Sequence, residues 1–162
     1  MIYGAEICIL VCVDRNTINS PIEHGPHSGK GEPWAITRHN RPLTNRQQAL
    51  LDLLPAHDSV ADLAKGDVSM KDLAALTAKT GVEFAMFTRK QERRIIRGDK
   101  RSVNIDYDKA VQMKADGYKW SGHTHTSGVI PSNGDKDVLR GFGGKRSVIY
   151  DAMGNRNMFT PF

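Results

Sequence analysis

Two histidines separated by one residue, His123 and His125, lie in the segment Trp120-Ser-Gly-His-Thr-His-Thr-Ser-Gly-Val-Ile-Pro-Ser-Asn-Gly-Asp135. In an extended segment, side chains at i and i+2 project to the same face, so both imidazoles point together. Two nitrogen ligands on one zinc ion need that arrangement, each about 2.0–2.1 Å from the metal. Asp135 follows ten residues after His125, and a loop of that length can fold back to present a third, anionic ligand. Gly122 and Gly128 flank the pair and leave room for close backbone approach. Two imidazoles and one carboxylate leave the fourth position of a tetrahedral ion open, the pattern of a catalytic rather than a structural zinc. Plainer accounts stand beside this one. A lone H-x-H often holds no metal. Ser132-x-x-Asp135 is also explained by helix capping, with Ser132 at the N-cap and Asp135 at N3, where the helix dipole favours an acid.

A hydrolytic zinc also wants a general base beside it. The glutamates are Glu6, Glu23, Glu32, Glu83 and Glu92. Glu83 stands out because it lies inside a strand pattern just after a helix, where a carboxylate is costly unless it is used or exposed. The alternative is a solvent-facing residue at a strand start, since Glu is mostly exposed.

The elements that must position these residues follow from periodicity and capping. Asn45–Leu54 carries Ala49, Leu50, Leu53 and Leu54 on one helical face, and Pro55 ends it. Asp58–Lys65 is expected to form a short helix closed by Gly66. Ser69-x-x-Asp72 has the form of a capping box opening a helix through Lys79 that stops at Gly81. Val82–Thr88 alternates, with Val82, Phe84 and Met86 on one face and Glu83, Ala85 and Phe87 on the other. Ile95-Ile96 and Ser102–Ile105 predict two more strands about a Gly98-Asp99 turn. Asp106–Ala115 is a helix capped by Gly117, Tyr118–His125 a strand and Ser132–Phe142 a helix. Arg146–Asp151 and Asn157–Thr160 close the chain as a hairpin. The intermixed order predicts an α+β or mixed α/β fold, a central mixed β-sheet flanked by helices.

The chain has 162 residues, ordinary hydrophobic and charged fractions and a net charge of +5, so a folded core is expected rather than disorder. The positive charge is spread out. Its densest cluster, Arg89–Arg94, includes Glu92 and has the look of a hairpin tip, so nucleic acid is not the expected partner. Cys8 and Cys12 fit two buried thiols rather than a disulfide framework, and a zinc deaminase would need a C-x-x-C pair that this chain lacks. Ile2–Val13 is predicted as a buried strand, too short to span a membrane and without the features of a signal peptide. Residues 14–42 are rich in Gly, Pro and Asn and are expected to form a solvated loop. His24 and His27, beside Glu23, are a conceivable second metal site within it. The chain is thus divided into a strand and loop-rich extension, 1–43, and a domain carrying the site, 44–162. A cytoplasmic location is expected, or export as part of a larger effector.

The combination His123-Thr-His125, Pro131-Ser132-x-x-Asp135 and an upstream strand with Glu83 resembles the JAMM/MPN metallopeptidase pattern, over about residues 68–160. The resemblance implies a cytidine deaminase-like architecture and Zn2+ held by His123, His125 and Asp135. It implies Glu83 as the group that activates water and Ser132 as an aid to the developing oxyanion. Peptide or isopeptide bonds are the implied substrates, in proteins such as ubiquitin-like or sulphur-carrier proteins. Two positions depart from the family pattern: Thr126 stands where proline follows the second histidine, and the spacer to Ser132 is one residue shorter than the commonest form. Glu83-Phe-Ala-Met-Phe-Thr, Tyr118-Lys-Trp-Ser-Gly-His and Arg146-Ser-Val-Ile-Tyr are also similar to JAB-like domains at the ends of bacterial Rhs-type and phage-associated polypeptides, a polymorphic-toxin setting. The expected function is zinc-dependent hydrolysis of a peptide or isopeptide bond. The alternatives are a non-catalytic MPN-like protein-binding module and a toxin-type metal-dependent nuclease.

Overall fold

The computed structural model describes residues 9–12 and 42–162. Of the predicted N-terminal strand, Ile9–Cys12 is a strand (β1). Cys8, the side chain of Cys12, Glu6, Glu23, Glu32, His24 and His27 lie outside the described residues.

Thr44 opens helix α1 (Asn45–Asp52) with a capping box, its side chain accepting from Gln47 N while Gln47 reaches back to the Thr44 amide. Leu50 and Leu54 are buried, but Ala49 and Leu53 face solvent, so the inward face is narrower than predicted. The segment expected as a second short helix, Asp58–Lys65, is instead a strand, β2 (Val60–Ala64). It pairs antiparallel with β4 (Glu92–Arg97), and Arg94 makes two hydrogen bonds to the Asp62 carboxylate across the pair. A helix this short gains little by itself, so cross-strand pairing decides the conformation. Helix α2 (Met70–Thr80) begins at the predicted Ser69/Asp72 capping box and stops at Gly81 in the left-handed region, with φ of 72°.

Strand β3 (Phe84–Arg89) joins β4 through a two-residue turn at Lys90-Gln91, with Lys90 at φ 52°. The predicted basic hairpin tip is therefore there. Strand β5 (Ser102–Ile105), helix α3 (Tyr107–Ala115, capped by Asp106), strand β6 (Lys119–His125), helix α4 (Asn133–Gly141) and strands β7 (Ser147–Asp151) and β8 (Arg156–Phe159) complete the order. The main sheet has six strands in the order β2-β4-β3-β6-β7-β8, antiparallel throughout except for the parallel β6–β7 pair, and β1 pairs with β5 in a separate ribbon. The predicted mixed α and β architecture around a central mixed sheet is what the chain forms.

The alternation in β3 divides the core as expected. Phe84 and Met86, with Val82 beside them, join Leu50, Leu54, Leu73 and Leu76 from α1 and α2. Ala85 and Phe87 join Met113, Tyr118, Trp120, Leu139 and Phe142 in a second cluster, which draws on α3 and α4. Burying each of the large aliphatic side chains contributes about 1.5–3 kcal/mol. Strand β6 lies between β3 and β7, with Gly122 where β7 and helix α2 leave no room for a side chain: a Cβ there would meet Val148 O at 2.7 Å and Met70 Sδ at 3.0 Å. Among the described residues no helix is long and apolar enough to cross a membrane.

Thr124, between the two histidines, alternates to the α2 side. Its Oγ1 lies 2.6 Å from Thr77 Oγ1 and accepts from the Phe84 amide at 2.9 Å, all in buried surroundings. Removing that hydroxyl strands two buried polar groups at once. Thr124→Val is expected to lower stability by about 1–3 kcal/mol, with Thr124→Ser losing much less. Urea denaturation of both variants checks this, and an unshifted midpoint for the valine variant would exclude the bridge as a stabilising contact.

Candidate metal centre

His123 and His125 project from the C-terminal half of β6 to one face, as i and i+2 residues of a strand must. Both are buried, with 0% and 1% of their surface exposed, and so is Asp135 at 0%. Asp135 arrives from the first turn of α4, where Ser132 caps the helix. The Asp135 amide donates to Ser132 Oγ at 3.1 Å, and the Ser132 amide donates to Asp135 Oδ2 at 2.7 Å. The capping explanation of Ser132-x-x-Asp135 is therefore correct, and it does not compete with the ligand explanation. The cap uses Oδ2 on one side and turns the carboxylate toward the histidines on the other.

The three side chains converge on one point. His123 Nε2 lies 2.8 Å from His125 Nε2 and 3.1 Å from Asp135 Oδ1, and His125 Nε2 lies 3.6 Å from Asp135 Oδ2. Ligands held 2.0–2.1 Å from a tetrahedral ion are separated by about 3.3 Å along each edge, and these separations bracket that value. No other group of three His, Cys, Asp or Glu side chains among the described residues converges in this way.

Proton positions favour the same conclusion. His125 Nδ1 lies 3.2 Å from the carbonyl of Gly128. A carbonyl only accepts, so Nδ1 carries the hydrogen, and in the neutral ring Nε2 presents its lone pair to the centre. Gly128 is at φ 72°, a backbone state that glycine reaches without penalty. Burial by itself pushes the Asp135 carboxyl up. The charge of His123, with the ring nitrogens of both histidines beside the carboxylate, outweighs it and holds the group well below the usual carboxylate range. A buried anion facing two imidazole nitrogens needs a positive charge among them, supplied by a proton on an imidazole or by a metal ion. The N-terminus of α4 adds a favourable dipole. The residues present thus fit a metal ion.

Glu83 precedes β3 and is wholly buried, so the solvent-facing alternative is wrong. Its amide donates to Asp99 O and its carbonyl accepts from Gly98 N, both at 2.8 Å. Gly98 is obligatory there, because a Cβ would come within 2.0 Å of Ser102 O. In the β3–β6 register Ala85 stands opposite His123, and Phe84 N meets Thr124. Glu83 immediately precedes this paired segment. Ser132, half-buried at the helix cap, supports Asp135 directly.

Two nearby features were not predicted. Trp120 stacks on the His123 ring, with centroids 4.8 Å apart and planes 26° from parallel. Spacing hides this, because residues three apart in a regular strand face opposite ways. Asp151 stands opposite His125 in the parallel register, but its carboxylate accepts from the amides of Met153 and Asn155 and from Asn155 Nδ2, each at 2.9 Å. It is committed to the β7–β8 turn rather than to the histidines.

No known family model matches the chain, and no curated protein or solved structure matches it.

Metal content is the direct check on this geometry. Purified protein is expected to hold one ion per chain by elemental mass spectrometry, with none in the His123→Ala/His125→Ala double variant. Asp135→Ala should lose the metal too, together with about 1 kcal/mol of capping stability. Unchanged metal content in the Asp135 variant would remove it from the ligand set.

Proposed function

We propose that this chain is a zinc-dependent hydrolase of peptide or isopeptide bonds, of the JAMM/MPN type. The observation that carries the reading is the convergence of His123 Nε2, His125 Nε2 and the Asp135 carboxylate within one buried cluster. Two nitrogens and one carboxylate oxygen suit zinc, and three protein ligands are the usual number at a catalytic rather than a structural site. When bound, zinc supplies Lewis-acid polarisation of the scissile carbonyl.

The rest is the work of the chain's own groups. Glu83 takes the proton from the attacking water and passes it to the leaving amine. In support, it is a carboxylate removed from bulk water, one residue before the strand that pairs with the histidine strand. Ser132 keeps Asp135 oriented through the helix cap and assists the oxyanion from the same position. The substrate class is a protein or peptide, with ubiquitin-like or sulphur-carrier proteins as the first to try. Ile130, 71% exposed in the loop between the histidines and α4, offers an apolar contact for a polypeptide.

A nuclease draws no support from the basic cluster. Strand β6 runs from Lys119, opposite Thr88 near the hairpin tip, to His125 at the other end, a distance of about 20 Å for its length. Arg94 is paired with Asp62 and Arg89 with Glu92, and both guanidinium groups lie over the Tyr118 ring. The complete burial of His123, His125 and Asp135 favours one second reading, a non-catalytic MPN-like protein-binding module in which the ion is structural.

Glu83→Gln separates the two. For a hydrolase the variant keeps its metal and its fold while turnover of a peptide or isopeptide substrate falls by about 10²–10⁴-fold. A variant that hydrolyses at the wild-type rate would dismiss Glu83 as the base. Absence of turnover in the metal-loaded wild type across a panel of amide and isopeptide substrates would favour the binding module.

A further inference from the structure

The two histidines are held in different ways. The His125 ring is fixed through Nδ1, which donates to Gly128 O. His123 is just as buried, yet its Nδ1 has no hydrogen-bond partner among the described residues. A ligating imidazole is ordinarily oriented by such a partner. What touches the His123 ring is aromatic. Trp120 stacks on it, and Phe159 stands edge-on to both rings, 5.9 Å from Trp120 and 6.4 Å from His123.

Trp120 reaches that face only through an irregularity. Met86 stands opposite Gly122 while Phe87, the next residue, stands opposite Trp120, so Ser121 is an extra residue in β6. The bulge returns Trp120 to the side of His123, from which regular alternation would exclude it. Ser121 Oγ and Thr88 Oγ1, 2.5 Å apart, tie the bulge to β3. The indole is not placed by its polar end, since Nε1 is buried and has no hydrogen-bond partner among the described residues. A buried tryptophan usually finds one. Its position is instead the one that lays its face on the imidazole.

We infer that Trp120 is a positioning residue for His123: carried to the histidine face by the bulge at Ser121, its ring orients the imidazole in place of the hydrogen bond that orients His125. The purpose of that orientation, presenting Nε2 to a metal, rests on the reading given above. An electron-rich indole face also favours an imidazole that carries positive charge or bears a cation.

Trp120→Phe keeps an aromatic face, whereas Trp120→Leu fills the core without one. Trp120→Met, which adapts more readily to a cavity, replaces the leucine variant if that one does not fold. Two measurements are made on folded protein. The first is the 1H–15N imidazole spectrum of metal-free protein. His123 is expected to show one tautomer in the wild type and the phenylalanine variant, and averaged tautomers in the aliphatic variant. The second is cobalt(II) binding in competition with a chelator, where affinity should fall about 10–100-fold in the aliphatic variant and stay near wild type with phenylalanine, with the visible cobalt spectrum shifting in step. An aliphatic variant with wild-type cobalt affinity and a single His123 tautomer would reduce Trp120 to a core residue. If the wild type itself takes up no cobalt, the metal reading falls, and the imidazole spectra alone then uphold or overturn the positioning role.

Discussion

The fold is governed by the need to bury an ionised carboxylate against two imidazoles. Taking a carboxylate out of water costs several kcal/mol unless hydrogen bonds and an opposing charge compensate for it. Asp135 receives both: the Nε2 atoms of His123 and His125 on one side, and the Ser132 amide with the N-terminus of α4 on the other. The partners come from a strand and from the helix that follows it, joined by a loop. Their relative placement must hold to within a few tenths of an ångström for the three groups to converge. The apolar packing of Val138 and Leu139 on α4 against Trp120, Ile149 and Phe159 provides that rigidity.

Strand β6 carries the matching load on its other face. A run of His, Thr, His in the centre of a sheet buries polar groups on both sides, and a core usually supplies such groups with partners. Thr124 finds Thr77 and the Phe84 amide, which docks α2 and aligns β3 in one stroke. Register in β3 and orientation of the histidine pair are therefore coupled, and a one-residue slip would turn the imidazoles toward α2.

Much of this was legible from the residues themselves. The shared face of His123 and His125, the capping boxes at Ser69 and Ser132, the stop at Gly81 and the two faces of β3 follow from short-range rules, and these rules hold because each is satisfied within a few residues. The failures share a different cause. Asp58–Lys65 becomes a strand because Arg94 and the β4 backbone, about thirty residues away, outweigh a weak local preference. Ala49 and Leu53 face outward because only Leu50 and Leu54 of this helix join the core cluster with α2. The stacking of Trp120 depends on a bulge that only the pairing with β3 reveals. Periodicity reports what a segment prefers and is silent on what a distant segment imposes.

The loop between the histidines and α4 shows how far the site's influence reaches. It is tied at three points: Thr126 Oγ1 donates to Lys100 O, the Gly128 carbonyl accepts from His125, and the Val129 carbonyl accepts from Asn157 Nδ2 on β8. The second tie fixes the tautomer of a candidate ligand, and the third fixes the residue beside it. A loop tethered in this way is part of the centre rather than a cover over it. Thr126 and the spacer to Ser132 fall within the same tethered segment. Strand β8, at the edge of the sheet, contributes Asn157 to the loop and Phe159 to the Trp120–His123 stack. Both imidazoles thus draw on the edge strand, His123 through Phe159 and His125 through the loop that Asn157 holds.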